Sequence, residues 1–301
     1  MRFLLLVLCL GLPAMLAVPA HAAPVSQPAE AGADASGPLE VTAGKSLEWY
    51  QKERLYVARG DAKAVRGDLT VEADILTAHE TAPPPKPTTG KPAAKKAANA
   101  RAGAAPAGIG GIGGTGDIDQ LTAAGNVRIA MQKGRAFGDR AVYDLAKHVA
   151  YLTGKHLRYE TDKETVTARD SLEYWDQRQL AVARGDAVAV QGDRKVVADI
   201  LSAQFRTQPN GQQQMHTLTA AGHVAIVTKG DVARCNHAVY DVPRNIAILT
   251  GHVRITRPDG TQLNGDVAEM DFASGRSRLL NEGKGTRVRL LLPAKNTKEF
   301  R

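Results

Sequence analysis

Part of this chain is written twice, and that duplication limits its possible folds more than any other property of the sequence. Leu47-Glu48-Trp49-Tyr50 returns as Leu172-Glu173-Tyr174-Trp175, an offset of 125 (47 to 172). Val57-Ala58-Arg59-Gly60-Asp61 and Ala73-Asp74-Ile75-Leu76 return at the same offset, as Val182 to Asp186 and Ala198 to Leu201. Further along the unit the distance shortens. Leu121-Thr122-Ala123-Ala124-Gly125 returns as Leu218 to Gly222, Ala141-Val142-Tyr143-Asp144 as Ala238 to Asp241, and Leu152-Thr153-Gly154 as Leu249 to Gly251, all at an offset of 97 (121 to 218). The difference of 28 (125 − 97) places an insertion inside the first copy. A repeating unit with one apolar face cannot bury that face alone, so the copies are expected to stack on a shared core.

The insertion is visible in composition. Residues 81–116 are rich in Pro, Ala, Lys and Gly, as in Pro83-Pro84-Pro85 and Gly110-Gly111-Ile112-Gly113-Gly114, and are expected to be a disordered loop. A similar leader covers 23–38 and a short tail 294–301. The first copy is then 39–80 with 117–160, and the second, with closing strands, 161–293.

Within each unit apolar residues recur at every second position, as in Leu55-Tyr56-Val57-Ala58 and Ala62-Lys63-Ala64-Val65, and no segment carries a helical period. Gly-Asp and Gly-Asn dipeptides recur roughly every ten residues and read as turns between many short antiparallel strands. The Arg-Gly-Asp triplets fall at equivalent turn positions, which turn chemistry explains without an adhesion function. The expected fold is all-β, with two sheets folded over each other and open along one edge. Aromatic residues are 5% of the chain, so an interior of Val, Ala and Leu is expected to leave space for acyl chains. A tightly closed core is the alternative.

Before the repeat, Arg2, an apolar run from Phe3 to Leu12 and Ala20-His21-Ala22 form a secretory signal peptide over 1–22, cut before Ala23. Cleavage removes Cys9 and leaves Cys235 alone, so the fold is held by burial and not by an internal disulfide. The net charge of +8 favours an anionic partner, and secretion disfavours nucleic acid.

Taken in order, Leu39-Glu40-Val41-Thr42-Ala43, Leu47 to Tyr50, Tyr143 to Lys147 with Leu152-Thr153-Gly154, and the closing stretch from Leu263-Asn264-Gly265-Asp266 to Val288 through Pro293 resemble the OstA-like family of lipopolysaccharide-transport proteins. The resemblance covers nearly all of 39–293 apart from the insert. It implies an elongated, twisted antiparallel β-jelly roll in the periplasm that carries lipopolysaccharide, with lipid A acyl chains in an apolar groove. It also implies inner- and outer-membrane partners of the same machinery and self-association through edge strands. The extra copy and the insert depart from the family's compact form.

By the same resemblance, the groove contacts fall on Leu39, Val41, Leu121, Tyr143 and Leu145, and in the second copy on Leu218, Tyr240 and Val242; an ordinary core role for each stays open. Arg128, Lys133 and Arg135 are the cations expected at the rim, facing lipid A phosphates. Neither an enzyme nor a cofactor is implied: there is no nucleophile elbow, P-loop or dinucleotide fingerprint, and the pairs Asp68/Asp193 and Asp74/Asp199 are repeat equivalents with a structural reason to recur. Cys235, His237, His223 and His252 complete no recognisable metal ligand set. The competing reading is a structural or assembly module of the cell envelope that pairs through its edges and carries no lipid.

Overall fold

The computed structural model describes residues 39–81, 118–132, 134–209, 211–228, 230–274, 276–281 and 287–293. The expected signal peptide, leader and tail, Lys133, and all of the insert but Thr81 lie outside them. Among the described residues every regular element is a strand. The first copy comprises β1 (Glu40–Thr42), β2 (Ser46–Tyr50), β3 (Leu55–Arg66), β4 (Leu69–Glu80), β5 (Ile118–Met131), β6 (Gly134–Asp144), β7 (Val149–Thr153) and β8 (Leu157–Glu160). Then follow β9 (Thr165–Ala168), β10 (Ser171–Trp175), β11 (Leu180–Gln191), β12 (Arg194–Thr207), β13 (Gln213–Val227), β14 (Val232–Asp241) and β15 (Ile246–Thr256). The chain closes with β16 (Gln262–Asp271), β17 (Arg276–Leu280) and β18 (Arg289–Leu291).

Within each copy consecutive long strands pair, β7–β10 and β8–β9 join the copies, and every pairing is antiparallel. The short strands work in twos. β2 pairs with the first half of β3 and β1 with its second half. Likewise β7 and β8 share β6, β10 and β9 share β11, and β17 and β18 share β16. Each long strand therefore belongs to two layers, its halves separated by a bend. The layers face each other as an open β-jelly roll, with the interior between them.

The bend is where the sequence-based expectation needs correction. Arg59-Gly60-Asp61 and Arg184-Gly185-Asp186 do not end short strands; each lies inside one strand of 12 residues. Both residues of the Gly-X pair take positive φ: 76° and 44° at Gly60-Asp61, 80° and 46° at Gly125-Asn126, 78° and 46° at Gly222-His223. The ladder skips at each one, between Arg59 and Ala62, Ala124 and Val127, and Ala221 and Val224. Two successive left-handed residues turn the strand as a bulge does, and the strand switches sheets instead of reversing. Gly67-Asp68 and Gly192-Asp193, by contrast, are true hairpin turns, joining β3 to β4 and β11 to β12.

The corners also explain the recurring aspartates. A Cβ on Gly125 would fall 2.1 Å from Asp74 Oδ2, and one on Gly222 2.1 Å from Asp199 Oδ2. Asn126 Nδ2 donates to Asp74 Oδ2 at 3.1 Å, and His223 Nδ1 lies 2.9 Å from Asp199 Oδ2. Each carboxylate thus lies against a bare glycine and braces the residue after it.

Candidate functional site: an apolar interior between two layers

The register of the ladders fixes which side chains point inward. In the first layer, the row nearest the corner runs from Leu47 to Leu279 through one residue per strand, and every member is Leu or Ala. The facing row of the second layer begins at Val41, Ala64 and Val71 and ends at Ile255, Leu263 and Leu290, with only Ala, Val, Ile and Tyr159 between. Cross-strand pairs of this kind are the unit of sheet stabilisation. Here they also make one uninterrupted apolar lining from end to end.

Between the layers lies a cavity of about 550 Å³. Of the eight expected groove residues, Leu39, Val41, Leu121, Tyr143 and Leu218 line it. Leu121 and Tyr143 are a cross-strand pair, and Leu218 and Tyr240 are the equivalent pair of the second copy. Tyr240, however, packs against the filled core of that copy; its hydroxyl donates to Asn245 Oδ1 at 2.6 Å and its ring meets Phe272 edge-on. Val242 packs on Phe205 and Met215, and Leu145 sits in the turn after β6. Neither lines the cavity.

The aromatic-poor interior expected from composition describes the second copy better than the first. Trp49, Tyr56, Tyr143 and Tyr159 of the first copy contribute to the cavity wall, with Tyr174 from the second. Trp49 and Tyr56 stack at its N-terminal mouth, with ring centroids 5.9 Å apart. Burial pushes the Tyr159 phenol up to about 12, helped by the nearby Glu164 carboxylate. Tyr143 is raised as well, first by burial and then by Asp176.

Three charged residues occur in the lining: Glu48, Glu173 and Arg66. Burial alone would raise the Glu173 carboxyl. Hydrogen bonds from Arg184 (2.7 Å), Trp175 (3.1 Å) and Ser171 (2.9 Å) outweigh burial and hold it below the usual carboxylate value. Ser46, Tyr50 and Arg59 do the same for Glu48. The arginine of each Arg-Gly-Asp triplet therefore secures the Glu of the preceding Leu-Glu motif across the ladder.

The rim cations are placed differently from one another. Arg128 stands opposite Glu72 and Phe137, and Arg135 pairs with Glu160 at 3.4 Å. Both point from the outer face of the second layer, since their neighbours Ile129 and Ala136 point in. Arg66, at the end of β3 and opposite Leu69, is on the inner face. The sequence analysis did not single it out; the parity of Ala64, two residues earlier, is the signal that places it inward.

A two-layer antiparallel roll with a continuous apolar interior is the architecture of an OstA-like domain. The chain matches the LptA/(LptD N-terminal domain) LPS transport protein family over residues 40–171 and again over 165–276, and it belongs to that family. The two matches overlap over residues 165–171, which include β9, the strand that pairs with β8 of the first copy and β11 of the second. Fifteen chains of solved structures are similar. Among them is LptH of Pseudomonas aeruginosa, the LptA-homologous periplasmic component of its lipopolysaccharide transport device. It aligns at 20% identity with a TM-score of 0.37, over 44% of this chain and 95% of its own. No curated protein matches the sequence.

Proposed function

We propose that this chain is a periplasmic carrier of the LptA type, which holds the acyl chains of lipid A between its layers and relays lipopolysaccharide from the inner towards the outer membrane. The observation that carries this reading is the apolar interior, open as a cavity in a member of a lipopolysaccharide-transport family. Each methylene moved from water into such an interior contributes ~0.8 kcal/mol. About ten methylenes then give ~8 kcal/mol gross, comparable with the ~4–15 kcal/mol that association costs. A groove of this size holds lipid reversibly, as a relay requires. Arg66 at the inner lip supplies a cation for lipid A phosphates, with Arg128 and Arg135 on the outer face of the same layer. The secretory reading of residues 1–22 puts the carrier in the periplasm, where inner- and outer-membrane components of the machinery are its partners.

Both ends of the roll expose apolar side chains: Leu47 (64% exposed) and Trp49 (56%) on β2, and Leu290 (57%) and Leu292 (67%) at β18. Unpaired edges of this kind invite strand addition. Self-association or docking to partners at these ends belongs to the same proposal, and edge pairing without any lipid is the second reading. Native mass spectrometry with and without lipopolysaccharide separates them. The carrier reading expects lipid adducts that are lost in a folded Tyr143→Asp variant. Head-to-tail oligomers without adducts establish the scaffold instead.

A further inference from the structure

The two copies are alike in sequence but unlike inside, and the difference has a local cause. β4 and β5 pair through Glu80 and Ile118 just beyond a register shift; β12 and β13 pair through Phe205 and Met215 at the same place. The turn residues correspond too, since Leu145 N donates to Asp119 O as Val242 N donates to His216 O. At one rim position the first copy therefore has Glu80, Ile118 and Leu145, and the second has Phe205, Met215 and Val242.

In the second copy these side chains gather. Phe205 and Met215 are each 1% exposed and form a cluster with Ala203, against which Ala181, Leu218 and Val242 pack. The cavity reaches this cluster, since Ala181, Ala203 and Leu218 are in its wall. Among the described residues none beyond β13 lines it. Past that point the interior is filled by the largest core cluster, with Leu249 and Val253 at its centre. In the first copy the equivalent Glu80 is buried beside Tyr56, whose phenol is raised first by burial and then by Glu80, so an acidic side chain stands where the second copy has an aromatic ring.

We infer that Phe205, Met215 and Val242 are a stop that confines lipid acyl chains to the N-terminal copy, and that the C-terminal copy admits them only when this cluster is displaced. The inference rests on the carrier reading and adds to it a compartment boundary. A family built to pass an amphipath along a groove would here contain a barrier partway, placed by the β12–β13 hairpin and the turn after β14.

The test places a photo-crosslinking side chain at equivalent points on either side of the stop, as Tyr143→p-benzoylphenylalanine and Tyr240→p-benzoylphenylalanine in the full secreted chain. Purified lipopolysaccharide is the probe. Position 143 should form the lipid adduct and position 240 should stay at background. Adding Phe205→Ala, or Met215→Ala if the first variant does not fold, should raise the adduct at 240 to the level at 143. Equal labelling of both positions without either change overturns the inference. So does a folded variant in which 240 remains at background. No adduct at either position defeats the carrier reading itself, which is a distinct result.

Discussion

The corner glycines carry a prediction whose size follows from the structure. Gly125 sits at φ +80°, and a methyl placed there would lie 2.1 Å from Asp74 Oδ2 and 2.7 Å from its Cγ. Gly125→Ala therefore has two costs. Holding a non-glycine residue in the left-handed region costs about 1–2 kcal/mol. Asp74 must also swing away and release Asn126, at about 1 kcal/mol for the hydrogen bonds lost. The sum is roughly 2–3 kcal/mol, and a domain of this size loses about 2–4 °C of Tm per kcal/mol. Gly192 is the control, because it has φ +53° in a true hairpin turn with nothing within 4 Å of a built Cβ. Gly192→Ala should cost only the backbone part, about 1–2 kcal/mol. Thermal melts followed by circular dichroism on both variants decide the matter. A double-mutant cycle sharpens it: with Asp74→Ala already in place, Gly125→Ala should fall to the cost of the control. If Gly125→Ala and Gly192→Ala melt together, or Asp74→Ala brings no relief, the tight corner is not what holds the strand in two layers.

Other outcomes follow from burial and charge. Leu249→Ala, at 0% exposure in the Leu/Ala row, should cost about 2–5 kcal/mol, whereas Leu47→Ala in the same row at the open end should change stability by about 0.5 kcal/mol or less; urea titrations compare them. Burial pushes the Cys235 thiol up to about 11 and the Tyr159 phenol up to about 12, from ordinary values of 9.0 and 10.0. Raised folded values mean that the unfolded chain releases these protons first. Stability present below about pH 9 is thus lost as the pH climbs through 9 to 12. Melts across that range should fall, and fall less in Cys235→Ala and Tyr159→Phe variants; a wild-type Tm that holds to pH 12 contradicts the assignment. The same burial should leave Cys235 unreactive towards a thiol reagent at neutral pH until the chain unfolds.

Much of the architecture is local information. The period-2 pattern marks strands whatever their partners, and the two offsets locate both the duplication and the insertion. Inward parity follows as well, which is why Leu121, Tyr143 and Leu218 line the cavity. The Gly-X signals were ambiguous in principle. Gly60-Asp61 and Gly67-Asp68 are the same dipeptide seven residues apart, and both glycines have positive φ (76° and 54°). One turns the strand into the other layer and the other reverses it. At the corner the aspartate is left-handed as well (φ 44° at Asp61), whereas Asp68 in the hairpin is not, and it is the ladders continuing on both sides that hold the left-handed pair as a bulge.

What the sequence determined by itself is the repeating strand and its two faces, since alternation and glycine chemistry act over a few residues. Where the interior stays empty depends on packing between strands distant in the chain. Tyr143 and Tyr240 are repeat equivalents with the same neighbours in sequence, yet one faces the cavity and the other a filled core. Phe205, Met215 and Val242 arrive from other strands to close the second copy, and packing between layers is set by such long-range neighbours. The directions of Arg66, inward, and of Arg128 and Arg135, outward, belong instead to the local information, because each follows from alternation along its own strand beside Ala64, Ile129 and Ala136.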